Sequence, residues 1–347
     1  MDFAAFLRSV PKAELHCHFA GTLRHATLAE FARREGTALP PSLADGYRFA
    51  GFAEFIEVLR TATASFRHRD DFARVAYEAL ADGLAEANVV HRELHVEVQY
   101  HMARGIPFAT VMDGVTEGLR AARSALGVTS RVVVAIDREL STPDDAVDIV
   151  RRTLAYDDEL LAGIGLSGPE GAGPPELFAE AYQLAYREGL RRTNHVCEDN
   201  QPVAAAPPDH YRTSRDVLHC ERYDHGNNLV HDPAALAEAA ADGASFAVVT
   251  FPSGEARRRA RWDSIRAMAE AGVALSVNSD DPAMFGVGVG DCYVTLFEEL
   301  GWGIDEARSV VRESFSASWL SEDGKRARLA DVERAFAAYA SETARSA

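Results

Sequence analysis

Short apolar runs rich in β-branched residues alternate along this chain with longer amphipathic segments. The apolar runs predict eight strands: Glu14–Phe19, Val89–Val98, Arg131–Asp137, Leu161–Gly168, Arg191–Glu198, Arg222–Gly226, Ser245–Phe251 and Ala274–Asp281. The amphipathic segments between them predict helices: Ala26–Glu35, Asp70–Glu86, Phe108–Ala125, Asp144–Thr153, Pro174–Glu188, Pro233–Ala241 and Trp262–Ala271. This alternation indicates parallel strands joined by crossover helices.

Eight rounds of strand and helix favour closure into a TIM (β/α)8 barrel over an open sheet. Further helices are predicted around Phe52–Phe66, after the first strand, and around Asp305–Ser316 and Ala330–Ala344, after the eighth. Single α/β barrels with insertions commonly reach 347 residues. We therefore expect one domain over residues 1–347.

Two segments are too rich in Gly and Pro to form regular elements. They are GPEGAGPP at Gly168–Pro175 and DNQPVAAAPPD at Asp199–Asp209. The second directly follows a predicted strand end. In a parallel barrel the loops that follow the strands build the active-site face, so we expect these loops to lie near the site.

The composition is that of an ordinary globular protein, with 47% hydrophobic residues. The formal net charge of −17 repels phosphate backbones and anionic membranes, so neither nucleic acid nor a membrane is expected as a partner. The N-terminal segment lacks the pattern of a signal peptide, and no apolar run approaches the roughly 18 residues that span a bilayer. We expect a cytoplasmic protein.

The four cysteines, Cys17, Cys197, Cys220 and Cys292, lie too far apart to form a CxxC pair. Their spacing indicates neither a disulfide framework nor a thiolate zinc cluster. Cys17 and Cys197 are close in sequence to histidines, but Cys17 alternates to the opposite face of its strand from His16 and His18.

Residues that bind metals are concentrated at the C-terminal ends of the predicted strands. His16 and His18 are two apart on the first strand, so both imidazoles lie on one face. In isolation such a pair is more often two unrelated histidines. Further groups end the fifth, sixth and eighth strands: His195, Glu198, His225, Asp280 and Asp281. A parallel barrel brings these ends together, where three imidazoles and a carboxylate complete a site of the zinc type.

Five segments resemble motifs of the adenosine and adenine deaminases, which are metal-dependent hydrolases of the amidohydrolase superfamily. These segments are PKAELHCHFAGTLR (Pro11–Arg24), GIGLSGPE (Gly163–Glu170), NHVCED (Asn194–Asp199), RYDHG (Arg222–Gly226) and SVNSDDPAMFG (Ser276–Gly286). The corresponding family motifs are PKxELHxHxxG, D-L-A-G-x-E, H-A-G-E, R-x-x-H-G and S-x-N-x-D-D-P. The segments follow the family's order, with similar spacing over almost the whole chain.

The resemblance implies a zinc-dependent deaminase that removes the 6-amino group of an adenosine- or adenine-like purine and releases ammonia. It implies these residue roles: His16, His18, His195 and Asp280 hold one zinc ion per chain; Glu198 donates a proton to the ring nitrogen beside the amine-bearing carbon; His225 orients the attacking water with Asp281 as its partner; and Gly168, Asp281 and Ala20 lie at the substrate. Zinc lowers the pKa of bound water to about 7, which makes hydrolysis feasible at neutral pH.

Three positions depart from the family pattern. Ala20 stands where adenosine deaminases usually carry Asp and adenine deaminases often carry Glu, and TFPSG (Thr250–Gly254) replaces C-P-x-S-N. The loop that includes Asp199–Asp209 is longer than usual. All three concern the pocket away from the amine, so the other half of the substrate stays open, and we do not expect plain adenosine to be the best substrate.

Other interpretations remain open at this point. The substrate could be an N6-modified or sugar-modified adenine nucleoside or nucleotide, or a cyclic amide with another leaving group. A barrel that binds purines without turnover is a third possibility, although a sensor has no need of Glu198 and His225. His91 and His95 are expected as polar groups of the barrel interior rather than as ligands. The run Arg257–Arg261 is expected on a solvated helix face, with an anion-facing patch at the barrel mouth as the alternative.

Overall fold

The computed structural model describes residues 1–251 and 255–346. Within these ranges it contains nine strands: β1 Lys12–His18, β2 Val89–Val96, β3 Thr129–Asp137, β4 Leu161–Ser167, β5 Arg191–Arg192, β6 His195–Val196, β7 Tyr223–His225, β8 Ser245–Val249 and β9 Ala274–Asn278. Single turns of 3-10 helix lie at Ala20–Thr22, Pro41–Leu43, Glu170–Ala172, Pro175–Phe178 and Asn227–His231.

The α-helices of the described ranges surround these strands. They are α1 Phe3–Ser9, α2 His25–Arg34, α3 Phe52–Thr63, α4 Arg69–Ala87, α5 Gln99–Met102, α6 Phe108–Leu126, α7 Pro143–Ala155, α8 Ala179–Arg187, α9 Asp209–Asp216, α10 Pro233–Ala241, α11 Glu255–Glu270, α12 Pro282–Phe285, α13 Val289–Leu300, α14 Ile304–Ser316 and α15 Glu322–Ser346. None of the helices in the part of the chain that the structure describes is both long and apolar enough to cross a membrane.

All strand pairs are parallel and together form a TIM barrel, as predicted. One sheet has the order β1-β2-β3-β4-β5 and the other β6-β7-β8-β9. At one seam the backbone N–H of His18 donates to the carbonyl of Asp280 at 2.8 Å. At the other seam, Thr193 and Asn194 link β5 to β6. The N–H of Thr193 donates to the carbonyl of Ile164 in β4 (3.1 Å), and the N–H of Asp224 in β7 donates to the carbonyl of Asn194 (2.9 Å). The predicted fifth strand is therefore present as two short pieces.

The extra helices predicted after the first and eighth strands are present as α3, α14 and α15. The segment that starts at Asp199 is irregular until α9 begins at Asp209. Helices α1, α9 and α13, which have 7, 8 and 12 residues, were not predicted from the sequence. The sequence of α9 is strongly polar, and ion pairs hold the helix to α10: Arg212 with Glu238 at 2.8 Å, and Arg215 with Asp242 at 2.8 Å.

The barrel interior is polar, whereas the space between the strands and the surrounding helices is apolar. On β2, Leu94 and Val96 belong to the hydrophobic core, and the alternate residues face the other way. Among these, His91 is fully buried and lies 3.2 Å from Glu93, which accepts from Arg222 at 2.8 Å. His91 is thus the interior polar group that the sequence predicted. These buried pairs occupy the barrel below the strand ends.

The two ends of the described chain meet on one side of the barrel. The rings of Phe6 in α1 and Phe336 in α15 are 4.9 Å apart and nearly perpendicular, and Tyr339 stacks on Phe6 at 4.2 Å. The amino terminus of Met1 pairs with Glu342 at 2.5 Å. The first and last helices therefore pack against each other.

Candidate metal centre and active site

The four side chains proposed as metal ligands converge at the C-terminal ends of β1, β6 and β9. The Nε2 atoms of His18 and His195 are 3.1 Å apart. Asp280 Oδ1 lies 3.1 Å from His16 Nε2 and 3.2 Å from His18 Nε2. His16 and His195 are buried, whereas the side chains of His18 and Asp280 remain 13% and 14% exposed. The structure thus brings together residues that are separated by up to 264 positions.

This arrangement fits a tetrahedral zinc ion. With metal–ligand bonds of about 2.0–2.1 Å, tetrahedral ligand atoms lie about 3.3–3.4 Å from one another, close to the separations observed here. Imidazole nitrogens and a carboxylate oxygen are also the donors that zinc prefers among oxygen and nitrogen ligands. His225 lies beside the same group, since its ligand atom and those of His16, His195 and Asp280 fall within 4.8 Å of one another.

Carboxylates lie behind the three histidines that are proposed as ligands, and Glu97 is hydrogen-bonded to His18. Asp224 Oδ1 lies 3.2 Å from His16 Nδ1, and its other oxygen lies 3.6 Å from His195 Nδ1. Glu97 Oε1 is 2.6 Å from His18 Nδ1. A carboxylate that accepts from Nδ1–H leaves Nε2 unprotonated toward the metal. Neither carboxylate was predicted from the sequence, although each lies at the C-terminal end of a predicted strand.

His95 packs beside the ligands as a buried interior group, as the sequence predicted. Its ring centroid is 4.7 Å from that of His16, and neither ring nitrogen has a hydrogen-bond partner in the described parts of the chain. Burial lowers the pKa of His95 well below its usual value, so its imidazole is neutral. Its ligand atom also falls within 4.8 Å of those of His16, His195 and Asp224.

Glu198 follows β6, and hydrogen bonds hold both its backbone and its carboxylate. Its backbone N–H donates to Glu170 Oε1 at 2.9 Å, and Asn200 Nδ2 donates to its Oε2 at 2.6 Å. Arg261 Nη2 donates to its Oε1 at 3.3 Å. Burial raises the pKa of Glu198 to about 7, although Arg261 opposes the shift. Near neutral pH the carboxyl group is therefore partly protonated and can donate a proton.

His225 and Asp281 complete the cluster on its other side. His225 Nδ1 lies 3.8 Å from Glu198 Oε1, and burial lowers the pKa of His225 well below its usual value. The pKa of Asp281 is raised well above its usual range, first by burial and then by the neighbouring charge of Asp280. The structure thus places an imidazole and two carboxyl groups within one water-poor space.

Three non-glycine residues at these strand ends have a left-handed backbone. Their φ angles are 54° at Cys197, 68° at His225 and 67° at Asp280. Side chains rarely adopt this conformation, and each instance costs about 1–3 kcal/mol. The surrounding barrel must hold these residues in place, and the turns they make direct the chain around the cluster.

The cluster opens into a cavity of about 70 Å³, which we call the first cavity. Helix α3 covers it with the apolar side chains Phe52, Phe55, Ile56 and Leu59. The other lining residues are His18, Glu97, Tyr100, Asp137, Glu139, Ser167, Gly168, His195, Glu198, Asn200, His225, Asp280 and Asp281. Gly168 takes a left-handed φ of 84° there, which favours glycine.

Ala20 lies outside this lining, and its assignment as a substrate-binding residue stays a prediction. It is buried in the 3-10 turn Ala20–Thr22. The turn meets the site through Gly21 instead: a Cβ atom there would lie 2.0 Å from Asp281 Oδ1. Gly21 is therefore needed for the close approach of this turn to β9.

The expectation of a fully solvated face for Arg257–Arg261 is wrong for its last residue. Arg261 is 2% exposed, and its guanidinium pairs with Asp199 as well as with Glu198. Arg257 is half-buried, whereas Arg259 is exposed. One side of this turn of α11 thus faces the barrel mouth. This location agrees with the alternative prediction of a patch at the barrel mouth. Of the segment TFPSG, residues 252–254 lie outside the described ranges.

Comparison with known proteins shows to which family the chain with this arrangement belongs. The family model described as adenosine deaminase matches residues 11–335. The chain belongs to the adenosine deaminase family. As a member it is a hydrolase that acts on C–N bonds of cyclic amidines.

Relatives in this family cover nearly the whole chain. An adenine deaminase of Streptomyces coelicolor is 35% identical over 341 residues, which is 94% of this chain and 96% of the relative. The crystal structure of an amidohydrolase from Burkholderia ambifaria with bound Zn has a TM-score of 0.90 at 31% identity, and covers 99% of this chain and 96% of that one. An adenine deaminase structure from Arthrobacter aurescens has a TM-score of 0.86 at 30% identity, with coverages of 94% and 99%.

Proposed function

We propose that this member of the adenosine deaminase family uses one zinc ion to hydrolyse the bond between C6 and the 6-amino nitrogen of an adenine-type purine. The observation that carries the proposal is that Glu198 lines the same first cavity as the proposed ligands His18, His195 and Asp280. A proton donor and a site for a hydrolytic metal therefore face one small space. The adenine deaminases among the relatives support a purine substrate.

In this proposal His16, His18, His195 and Asp280 hold the metal. Bound there, Zn²⁺ would supply water activated as a nucleophile at neutral pH. Asp224 and Glu97 keep the three imidazoles oriented through their Nδ1 atoms, at the distances given above. The protein's own contribution is thus a rigid donor set with the correct tautomers.

Glu198 supplies the acid. Its carboxyl would donate a proton to the ring nitrogen beside C6, which makes that carbon electrophilic, while neutral His225 would accept a hydrogen bond from the attacking water. Asp281 would support the same water from the β9 side. The water oxygen bonds to C6 and the bond between C6 and the amino nitrogen breaks. The departing nitrogen takes a proton that came from this water and leaves as ammonia, so the purine gains a 6-oxo group.

The base itself would lie between the roof of α3 and the strand ends. Phe52 and Phe55 offer apolar faces to a planar ring, and the backbone of Gly168 would meet the far side of the purine from the metal. The roof also excludes water, which strengthens the electrostatic interactions inside. Plain adenosine is not expected to be the best substrate.

A purine panel tests this proposal. Zinc-loaded protein should convert adenine or one of its N6- or sugar-substituted derivatives to the 6-oxo product, with loss of ultraviolet absorbance and release of ammonia or amine. The same protein with Glu198→Gln serves as the control. Tight binding of purines without turnover of any of them would contradict the proposal and favour a non-catalytic purine-binding barrel.

A further inference from the structure

A second cavity of about 50 Å³ adjoins the first one at the barrel mouth. The two share five lining residues: Phe52, Phe55, Glu198, Asn200 and Asp280. The remaining walls of the second cavity are Phe49, Phe251, Arg257, Arg261 and Phe285. A ligand in the first cavity can therefore extend into the second past Glu198 and Asp280.

The two cavities differ sharply in charge. No Lys or Arg is among the described residues that line the first cavity. Its carboxyl groups are those of Glu97, Asp137, Glu139, Glu198, Asp280 and Asp281. The second carries two guanidinium groups, from Arg257 and Arg261, amid aromatic rings. The guanidinium groups attract an anionic group to the second cavity.

The two arginines are not equivalent. Arg261 is neutralised by Asp199, to which it donates from Nε at 2.9 Å, and it also contacts Glu198. Arg257 instead donates from Nη2 to the carbonyl oxygen of Asp199 at 3.3 Å. Among residues 1–251 and 256–345, whose side chains the structure describes, no carboxylate lies within 4 Å of the Arg257 guanidinium.

The half-buried Arg257 guanidinium is thus suited to an anion. A guanidinium has five N–H donors in a planar fork that matches carboxylate and phosphate groups. One carbonyl contact leaves most of these donors for a ligand. In a chain with a net charge of −17, a cation at the wall of a cavity beside Glu198 marks a specific site for negative charge.

We propose that the second cavity binds an anionic substituent of the substrate through Arg257, while the aminopurine ring occupies the first cavity. This inference rests on the proposed function and specifies its substrate class. Glu198 and Asp280, which the cavities share, are the residues assigned to the reacting edge of the ring. The geometry therefore favours an acidic substituent carried by the 6-amino nitrogen.

The reaction of such a substrate is the same hydrolysis with a larger leaving group. The water oxygen bonds to C6, the bond between C6 and the exocyclic nitrogen breaks, and that nitrogen takes a proton. The products are a 6-oxopurine and a primary amine that bears the acid. No oxidant, reductant or further reactant is required.

The test compares matched charged and neutral compounds. N6-(carboxymethyl)adenine and its neutral amide, N6-(carbamoylmethyl)adenine, differ at the group that would meet Arg257, and adenosine monophosphate with adenosine forms a second pair. We expect the wild type to prefer the carboxylate over the amide by about 10- to 150-fold in kcat/KM, the value of a hydrogen bond to a charged group. Arg257→Met should abolish this preference, and Arg259→Met, an exposed residue of the same helix, should retain it.

The outcomes separate this inference from the function on which it rests. Equal kcat/KM for carboxylate and amide, with both hydrolysed, overturns the anion site and leaves the deaminase proposal intact. A preference for the monophosphate alone that Arg257→Met removes supports the anion site and overturns attachment through the amine. If zinc-loaded protein hydrolyses none of the compounds, the deaminase proposal fails; calorimetry then decides the anion site, which is overturned if wild type and Arg257→Met bind the carboxylate equally.

Discussion

Asp224 Oδ1 lies 3.2 Å from His16 Nδ1, and both side chains are completely buried. The second oxygen of Asp224 lies 3.6 Å from His195 Nδ1. One carboxylate therefore faces the Nδ1 atoms of two of the three proposed imidazole ligands.

We predict that Asp224→Asn weakens zinc binding about 10- to 100-fold, the usual loss when such a partner of a ligating histidine is replaced. The amide can accept a hydrogen bond but carries no charge, so the imidazoles become weaker ligands. Competition with a zinc chelator measures the change. The exposed Asp263→Asn variant is the matched control and should bind zinc as the wild type does.

The second prediction concerns metal content. Purified wild-type protein should hold about one zinc per chain, because the four proposed ligands form one tetrahedral set. His195→Ala should lose metal and activity together, while the exposed His231→Ala should lose neither. Elemental analysis with activity assays decides the matter, and two equivalents per wild-type chain would contradict the single-site prediction.

Replacement of the proposed acid should separate chemistry from metal binding. Glu198→Gln is expected to retain zinc but to lose about 10²–10⁴-fold in kcat, the usual contribution of a general acid. Glutamine keeps the shape and the contact with Asn200 but has no proton to give. Near-wild-type kcat with full zinc content would show that another group supplies the proton.

The pH dependence of kcat follows from the same carboxyl group. Its pKa of about 7 means that the protonated form disappears as the pH rises through neutrality, so kcat should fall on the alkaline side. Arg261 favours the ionised form. Arg261→Met should therefore raise the pKa of Glu198 and move the alkaline limb to higher pH.

Arg261→Lys is the matched control for this shift, because it keeps a positive charge near Glu198. Its alkaline limb should stay close to that of the wild type, even if kcat itself falls. Profiles of kcat against pH for the three proteins make the comparison. An alkaline limb that does not move in Arg261→Met would mean that Arg261 has no electrostatic influence on the acid.

The barrel and the convergence of the proposed metal ligands could be predicted because they depend on local rules. The period of a strand places His16 and His18 on one face, and parallel strands bring His195 and Asp280 to the same end. The carboxylates behind the histidines depend on a finer feature. Asp224 and His225 are neighbours in sequence, and only the left-handed backbone of His225 shows how both reach the same cluster.

The arginine run shows where sequence patterns stop being informative. Four of the five residues in Arg257–Arg261 are arginine, so the segment has no polar–apolar pattern that would show which helix face is buried. Nothing in it distinguishes the buried Arg261 from the exposed Arg259. The difference arises from contacts with Asp199, 62 positions away. The close approach of Gly21 to Asp281 could not be predicted for a related reason, since the sequence does not reveal which residue of a tight turn reaches the site.

The left-handed conformations of Cys197, His225 and Asp280 have a consequence for engineering this protein. They store conformational energy where the chemistry is proposed to occur, at a cost of about 1–3 kcal/mol each. Glycine or asparagine adopts such a backbone more readily, so selection for thermal tolerance alone would enrich those residues here. Mutant libraries designed to raise thermal stability should therefore keep these three positions constant and vary residues of the outer helices instead.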